Sequence, residues 1–337
     1  MTLEKISRRM LGAAIAAAVL ALAGCGEEKA PAQSEAAAGK TLIPIGIVQL
    51  VEHDALDAAV RGIVDGLAAR GYKDGETIAI DRQNAQADQS NLHNIGTRFA
   101  SAKDKLIFAV ATPAAQAMAT TARDIPIVGT AITDFVSAKL VKSDEAPGGN
   151  VTGVSDMGPI EKQFELLTAL VPNLKTVGTI YNSSEVNSAV QVTRLKDAAA
   201  KAGVEVVEAT VSSVNDIQQA AASLKDKVDA LYLPTDNVIA SAVPVLAKVV
   251  NDAKIPTVAG EIGMVENGCL ASVSVDYYEL GKMTGEMGAD ILDGKSVPAQ
   301  MPVRRQLDGE LVVNMKTAQA IGITIPEAIL SKAKKFE

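Results

Sequence analysis

The chain has 337 residues, of which 48% are hydrophobic and 21% charged, which is enough apolar material for two globular lobes. Its formal net charge of −8 and isoelectric point near 5.0 argue against a surface for nucleic acid or for an anionic membrane. Aromatic residues make up only 3% of the chain and Trp is absent from it, which disfavours a sugar-binding groove built from stacked rings. We therefore expect no nucleic-acid partner.

The first 40 residues have the pattern of an export signal followed by a spacer. Lys5, Arg8 and Arg9 precede an apolar run over residues 11–22, which is too short to span a membrane. The run ends in Leu-Ala-Gly-Cys at residues 22–25, which resembles a bacterial lipobox. This predicts a lipoprotein signal peptide over residues 1–25 with Cys25 as the lipidated first residue of the mature protein. An ordinary cleaved signal peptide is the alternative.

Residues 26–40 are rich in Ala, Glu, Gln and Pro and have no apolar period, which is typical of a flexible tether. We accordingly expect an exported protein of the cell envelope that faces the periplasm or the exterior. It would touch the membrane only through its lipid anchor. With Cys25 lipidated, Cys269 is left alone, so we expect no internal disulfide and a buried Cys269 in a strand.

From residue 41 onwards, strand-like and helix-like segments alternate. The predicted strands cover residues 43–50, 77–82, 106–110, 125–130, 176–181, 204–210, 230–233, 257–259, 269–275 and 301–303. The predicted helices cover residues 55–69, 90–102, 114–118, 160–170, 186–202, 214–224, 238–253 and 278–292. Such alternation indicates an α/β protein whose parallel sheets are covered by helices on both faces.

Two series of this kind predict two similar lobes joined by a few crossing strands. The Pro-Gly-Gly-Asn cluster at residues 147–150 marks the first boundary. We expect an N-terminal lobe of residues 41–150 plus about 276–303. The C-terminal lobe would then hold residues 151–275 plus about 304–337.

The segment 106–118 (LIFAVATPAAQAM) predicts a strand that turns directly into a helix. Thr112 and Pro113 match an N-cap residue followed by proline at the first helical position. The start of such a helix presents unpaired backbone N–H groups beyond the carboxyl edge of the sheet, where a small anion can bind.

Ligands of open α/β sheets bind beyond the carboxyl ends of the strands, so polar residues at those positions are the candidates for a binding site. Many of these residue types also cap helices, so their number and their common position together carry the prediction. The candidates are Gln49, Glu52, His53, Thr112, Ala114, Ala115, Gln116, Thr133, Asp134, Asn182, Ser184, Glu185, Asn187, Ser188, Thr235, Asp236, Asn237 and Glu261.

Neutral donors and carboxylates from both lobes suit a zwitterionic ligand. We expect its carboxylate at the helix start over residues 112–115, supported by Thr133. We expect its ammonium group at an acid, with Asp236 and Glu261 preferred and Asp134 in reserve. The physical reason is that a buried charge is costly unless an opposite charge or hydrogen bonds accompany it.

Motifs typical of enzymes are missing from the sequence. It contains neither a Gly-x-Ser-x-Gly elbow nor a Gly-x-Gly-x-x-Gly turn after a strand. His53 and His93 are its two histidines, and two scattered histidines do not make a metal site. The sequence therefore predicts a binding protein without metal or cofactor, and an enzyme on the same scaffold is a minor alternative.

Five segments in order carry a resemblance to a known family. They are residues 45–56 (IGIVQLVEHDAL), 111–116 (ATPAAQ), 147–155 (PGGNVTGVS), 181–188 (YNSSEVNS) and 233–237 (LPTDN). Together they resemble the ABC-transporter substrate-binding lipoproteins of the tryptophan/tyrosine-binding type, over essentially the whole mature chain. One departure is Phe135, which follows Asp134 where the family often has proline.

The resemblance implies the periplasmic-binding-protein type I fold, with two Rossmann-like lobes and a three-segment hinge. It implies a monomer that closes on an amino acid, including an aromatic one, and delivers it to the permease and ATPase subunits of an importer. A nucleoside or another small polar solute is the alternative ligand. Regulators of the lactose-repressor type share this fold, but they begin with a helix-turn-helix where this chain has an export signal.

Overall fold

The structure is a computed structural model that describes residues 41–306 and 308–337. The predicted signal peptide, Cys25 and the tether lie outside the described residues. The strands are β1 (Ile43–Gln49), β2 (Ile78–Asn84), β3 (Leu106–Val110), β4 (Ile127–Ile132), β5 (Val151–Ser155), β6 (Thr176–Asn182), β7 (Glu205–Val211), β8 (Ala230–Leu233), β9 (Thr257–Ala259), β10 (Ala271–Ser274), β11 (Arg304–Arg305), β12 (Glu310–Asn314) and β13 (Lys334–Phe336).

Helices separate most of these strands. They are α1 (Asp54–Ala69), α2 (Gln89–Ala102), α3 (Thr112–Thr121), α4 (Ile160–Leu170), α5 (Val186–Lys201), α6 (Ile217–Leu224), α7 (Asn237–Ala240), α8 (Val243–Asp252), α9 (Ile262–Glu266), α10 (Tyr277–Leu292), α11 (Met315–Ile321) and α12 (Glu327–Leu330). In the part of the chain that the structure describes, no helix is both long enough and apolar enough to cross a membrane.

The strands form two sheets, as the alternation of elements predicts. The first sheet has the order β11-β5-β4-β3-β1-β2 and its pairs are parallel. The second has the order β13-β12-β10-β9-β8-β6-β7, and β12 runs antiparallel to β10. The predicted α/β class with mainly parallel sheets is confirmed. We call the first sheet with α1, α2, α3 and α10 the first lobe, and the second sheet with the remaining helices the second lobe.

The lobe boundaries differ from those expected at residues 150 and 304. Strand β5 pairs with β4, and β11 pairs with β5, so both belong to the first sheet. The Pro-Gly-Gly-Asn cluster makes a turn within the first lobe, with Gly148 at φ +72°. A turn signal marks where a strand ends but not which sheet the next strand joins. The chain therefore crosses between lobes after β5, between β10 and α10, and between β11 and β12.

Two further differences concern the second lobe. The predicted helix over residues 238–253 is two helices, because Pro244 lies in the first turn of α8 and proline is disfavoured inside a helix. Regular structure does not end near residue 303, since β12, α11, α12 and β13 follow. Cys269 is buried and free as predicted, but it precedes β10 instead of lying in it.

Helices α1 and α10 pack side by side through glycines, which brings their N-termini to the same end of the first lobe. A Cβ added to Gly62 would lie 2.1 Å from the Tyr278 carbonyl oxygen, and one added to Gly281 would lie 2.0 Å from the Ala59 carbonyl oxygen. Gly66 and Gly285 have similarly close backbone neighbours one turn further on. Because the helices are parallel, His53 before α1 and Tyr277 at the start of α10 point toward the second lobe together.

Candidate ligand-binding site

A cavity lies between the two lobes at the carboxyl edges of both sheets. The first lobe contributes His53, Leu56, Ala131, Asp156 and Tyr277, and the second contributes Thr235, Asp236, Asn237, Ala240 and Glu261. Its volume of about 10 Å³ is room for one water molecule. The lobes are therefore closed on each other in this structure, and a larger ligand requires them to separate.

The backbone is strained where strands of the first lobe reach this edge. Ala111 follows β3 with φ +86°, and Ala131 near the end of β4 has φ +54°. At Ala131 the pairing between β4 and β5 also shifts register. Alanine adopts positive φ at a cost, and such strain is concentrated at functional sites in folded proteins.

Asp156 is the carboxylate that the first lobe presents to the cavity. It is only 3% exposed, and its Oδ2 accepts a hydrogen bond of 2.7 Å from the Tyr277 hydroxyl. Its Oδ1 is buried and has no hydrogen-bond partner within the described residues. Burial raises the pKa of this carboxyl above its usual range, while the bond from Tyr277 and the nearby Thr133 hydroxyl act in the opposite direction.

Sequence reasoning missed both Asp156 and Tyr277, although one rule would have found them. Asp156 directly follows β5, and Tyr277 follows β10 by a short connection. Both therefore occupy the carboxyl-end positions at which ligands bind. The sequence predicts a lobe boundary at residues 147–150 and no strand at β5. It predicts a helix from residue 278, so Tyr277 falls between that helix and the predicted strand over residues 269–275.

Asp236 borders the cavity but its carboxylate is already fully engaged. Its Oδ2 accepts bonds of 2.7 Å from the Asn182 N–H and from the Ser188 hydroxyl. Its Oδ1 accepts from the Ile239 N–H at 3.0 Å, which caps α7. Burial raises the pKa of Asp236. The observed contacts give Asp236 a structural role that competes with binding an ammonium group.

Glu185 lies beside Asp236 and is engaged in the same way. Its Oε2 accepts from the Asn187 amide at 3.0 Å and from the Asn237 amide at 2.5 Å. Burial is the main cause that raises the pKa of Glu185, and the nearby Asp236 charge adds to it. The Asn187 Oδ1 atom is buried and unpartnered among the described residues.

Glu261 is the third acid of the second lobe at this site. It is 3% exposed and caps α9 by accepting from the Gly263 N–H at 2.8 Å. Burial raises the pKa of Glu261 to about 7. A carboxyl with this pKa changes its protonation state near neutral pH, so it can adapt to the charge of what binds beside it.

Thr235 is held from behind by Gln191, a residue that sequence reasoning did not single out. The Gln191 side chain donates to Thr235 Oγ1 at 2.6 Å and accepts from the Thr235 N–H at 3.1 Å. Across the cleft, Thr133 Oγ1 of the first lobe lies 3.5 Å from Thr235 Oγ1. The available signal was the i, i+4 spacing of Gln191 from Asn187 on α5.

His53 also reaches across the cleft. Its Nε2 lies 3.5 Å from Asn237 Oδ1 of the second lobe, and its Nδ1 is buried without a partner among the described residues. Burial lowers the pKa of His53 to about 4, and the hydrogen bond with Asn237 opposes this shift. The imidazole is therefore neutral at pH 7 and can donate or accept according to its tautomer.

The start of α3 differs from the prediction by one residue. The N-cap is Ala111, and Thr112 is the first residue of the helix. The positive φ of Ala111 makes the turn, so the Thr112 hydroxyl caps nothing and is buried without a partner in the described structure. Ala114 and Ala115 are fully buried, and residues 112–116 do not line the cavity.

The remaining candidates lie near the cleft without lining the cavity. Gln49 donates to the Val51 carbonyl and to Asp57, and Gln116 donates to the Ala138 carbonyl. Asp134 accepts from the Ser137 N–H at 2.8 Å. Glu52 and Ser184 are exposed, Asn182 accepts from the Ser184 N–H, and Ser188 bonds to Asp236.

Within residues 41–306 and 308–337, no group of three or more His, Cys, Asp or Glu side chains is arranged to hold a metal ion. The lining described above holds several acids, and it includes no lysine or arginine from the described residues. The site therefore offers negative charge and neutral hydrogen-bonding groups to a ligand.

Two α/β lobes that enclose a polar cavity define the periplasmic-binding-protein type I fold. More specifically, the chain belongs to the family described as ABC transporter substrate binding protein, which it matches over residues 44–337.

Three relatives place the chain within this family. A tyrosine-binding protein from Clostridioides difficile strain R20291 is 48% identical over 82% of this chain and 80% of its own length. A domain from Streptococcus pneumoniae, solved in complex with L-Trp, is 43% identical with a TM-score of 0.84, covering 88% and 99% of the two chains. The ligand-free, open structure of a Clostridium difficile substrate-binding protein with adhesive properties is 46% identical with a TM-score of 0.68, covering 88% and 99%.

Proposed function

We propose that this protein captures an α-amino acid, with an aromatic side chain preferred, in the cleft between its lobes. As a substrate-binding protein of an ABC transporter, it would deliver that ligand to the permease and ATPase subunits of an importer. The relatives named for tyrosine and solved with L-Trp support the choice of ligand. The observation that carries the proposal is the unpartnered Oδ1 of Asp156 in the inter-lobe cavity.

The argument from Asp156 is one of charge and hydrogen bonding. A buried acceptor without a donor costs about 1–3 kcal/mol, and more when it is charged. The ammonium group of an amino acid supplies both a positive charge and three N–H donors, which this acid needs. We therefore assign the ammonium to Asp156, with Glu261 close by, in place of Asp236.

Movement of the lobes is the second part of the proposal. The cavity in this structure is too small for an amino acid, so the lobes must open to admit one. The TM-score is higher with the L-Trp complex than with the open structure, although the open relative is slightly more identical in sequence. This difference supports an arrangement of lobes like that of a ligand-bound protein.

Isothermal titration calorimetry with L-tyrosine and L-tryptophan tests the ligand class directly. 3-(4-Hydroxyphenyl)propanoate, which lacks the ammonium group, is the matched analogue. We expect Asp156→Asn to weaken L-tyrosine binding about 10- to 150-fold, which corresponds to the loss of one hydrogen bond to a charged group. The affinity for the analogue should stay within about twofold of that of the wild type. A thermal shift with nucleosides but with no amino acid would support the alternative ligand and overturn this proposal.

Asp104 provides the control variant. It is also buried, with an unpartnered Oδ2 among the described residues, but it precedes β3 at the opposite edge of the first sheet. Asp104→Asn should bind L-tyrosine as the wild type does. If both variants lost the same affinity for L-tyrosine, the effect of Asp156→Asn would come from a change in the fold and not from a lost contact with the ligand.

The lipid anchor, the monomeric state and the absence of turnover complete the proposal. The sequence pattern at residues 22–25 supports lipidation of Cys25. Mass spectrometry of the mature protein should find a lipidated N-terminal Cys25, and an unmodified N-terminus elsewhere would contradict it. Light scattering should give the mass of one chain, and bound L-tyrosine should be recovered chemically unchanged after prolonged incubation.

A further inference from the structure

We propose that Gln191 is a positioning residue that fixes the Thr235 hydroxyl as a hydrogen-bond donor into the cleft. This donor would then select ligands that carry a carboxylate. The inference rests on the proposed function and adds to it the place of the second charged group of the amino acid. It starts from the side chain of Gln191, which is 1% exposed and lies on α5 behind Thr235.

Three hydrogen bonds use the whole amide of Gln191. Its Oε1 accepts from the Thr235 backbone N–H at 3.1 Å. Its Nε2 donates to the Asn187 carbonyl oxygen at 3.1 Å and to Thr235 Oγ1 at 2.6 Å. The two hydrogens of the nitrogen are thus both committed.

Backbone chemistry fixes the orientation of this amide. The Thr235 N–H can only donate, so the atom facing it must be the amide oxygen. The Asn187 carbonyl can only accept, so the atom facing it must be the amide nitrogen. The nitrogen therefore donates to Thr235 Oγ1, and the hydrogen of the Thr235 hydroxyl has to point away from Gln191.

The hydroxyl hydrogen is thereby directed toward the cleft. Thr235 lines the cavity, and Thr133 Oγ1 of the first lobe is 3.5 Å away, which is the outer limit of a hydrogen bond. Opening of the lobes would free this donor for an acceptor on a ligand.

A fixed neutral donor matters here because of the surrounding charge. Asp156, Asp236 and Glu261 border the cavity, and its described lining has no lysine or arginine to attract an anion. A ligand carboxylate is bound most strongly where a donor is already turned toward it and cannot rotate away. Since residues 112–116 do not line the cavity, Thr235 replaces the start of α3 as the group that we assign to the carboxylate.

Calorimetry with L-tyrosine and with tyramine, which lacks the carboxylate, tests this assignment. Thr235→Val and Gln191→Leu should each weaken L-tyrosine binding about tenfold, which corresponds to the loss of one hydrogen bond. Each variant should keep its affinity for tyramine within about twofold of that of the wild type. The double variant should lose no more than either single one, because both remove the same donor. Thr235→Ser keeps the hydroxyl and should restore binding of L-tyrosine.

Asn314→Leu is the matched control. Asn314 is a buried amide side chain of the same lobe that bonds to the Val265 carbonyl and to the Thr317 N–H, and it ends β12 at the edge of the second sheet opposite the cavity. Its loss should change melting temperature without changing the ratio of the two affinities. If Gln191→Leu fails to fold, Gln191→Met replaces it. Methionine keeps the length of the side chain without its amide, so the same selective loss is expected.

Three results would overturn the inference. In the first, Gln191→Leu weakens the binding of L-tyrosine and of tyramine equally, which indicates that Gln191 has a structural role only. In the second, Thr112→Val selectively weakens L-tyrosine binding and Thr235→Val does not, which would assign the ligand carboxylate to the start of α3. Finally, if the wild type binds no amino acid, the proposed function fails and this inference fails with it. That result is distinct, because it appears before any variant is compared.

Discussion

Asn267 at the end of α9 donates a hydrogen bond of 2.6 Å to Asp54 at the start of α1. The bond joins the second lobe to the first, and neither residue lines the ligand cavity. A contact of this kind exists only while the lobes are together. It stabilises the closed arrangement without touching the ligand, so its removal isolates the contribution of closure to affinity.

Asn267→Ala should therefore weaken binding of L-tyrosine about 2- to 12-fold, as expected for one hydrogen bond of about 0.5–1.5 kcal/mol. X-ray scattering should show that L-tyrosine reduces the radius of gyration of the wild type, and that the variant needs more ligand for the same reduction. Asn215→Ala changes an exposed asparagine of the second lobe and serves as control. A radius that saturating ligand leaves unchanged in the wild type would contradict closure.

Glu261 should make the stability of the ligand-free protein depend on pH. The pKa of this carboxyl is about 7 in the folded protein against an ordinary value of 4.5, so the folded state holds its proton more tightly. This contribution to stability is fully present below pH 4.5 and is lost as pH rises through 7. The loss amounts to about 3 kcal/mol at most, at 1.36 kcal/mol per pKa unit.

Glu261→Gln should remove this part of the pH dependence, since the amide has no proton to lose over this range. Urea unfolding between pH 4.5 and pH 8 measures the effect. The wild-type free energy of unfolding should fall relative to that of the variant as pH rises. Parallel curves for the two proteins would show that Glu261 ionises in the folded state as it does in the unfolded chain.

His53 should stay neutral in the folded protein down to a pH of about 4. A histidine with a lowered pKa favours the unfolded state in acid, so its contribution to stability is present above pH 6.5 and is lost as pH falls toward 4. The chain has two histidines, so proton NMR of the imidazole groups is simple to interpret. The spectrum of His53→Gln contains only the His93 resonance, so comparison with the wild type assigns the resonance of His53. A titration midpoint of His53 near pH 6.5 would contradict the burial described here.

Gly281→Ala should destabilise the first lobe, because its added Cβ would lie 2.0 Å from the Ala59 carbonyl oxygen. Forcing α1 and α10 apart should cost about 1–3 kcal/mol. It should also weaken ligand binding, because these helices hold His53 and Tyr277 at the cleft. Gly149→Ala is the control, since no atom lies within 4 Å of its added Cβ. Thermal melting of both variants measures the difference, and equal melting temperatures would count against the close packing of the two helices.

The sequence by itself determined the alternation of strands and helices, because burial and local propensity act over a few residues. Strand β3 and helix α4 have the bounds that the sequence predicts. It also determined the edge of the sheets at which the site lies, since parallel strands bring their carboxyl ends together. Thr235, Asp236, Asn237, Glu261 and His53 were found by that rule and do line one cavity.

Only the tertiary structure decided which of those polar groups are free to meet a ligand. Asp236 and Asp156 are both buried acids at strand ends, yet Asp236 is satisfied by three donors and Asp156 keeps one oxygen without a partner. Those donors come from residues up to 54 positions away in the chain. Hydrogen-bond satisfaction of this kind depends on directed contacts between distant segments, which local sequence patterns do not encode.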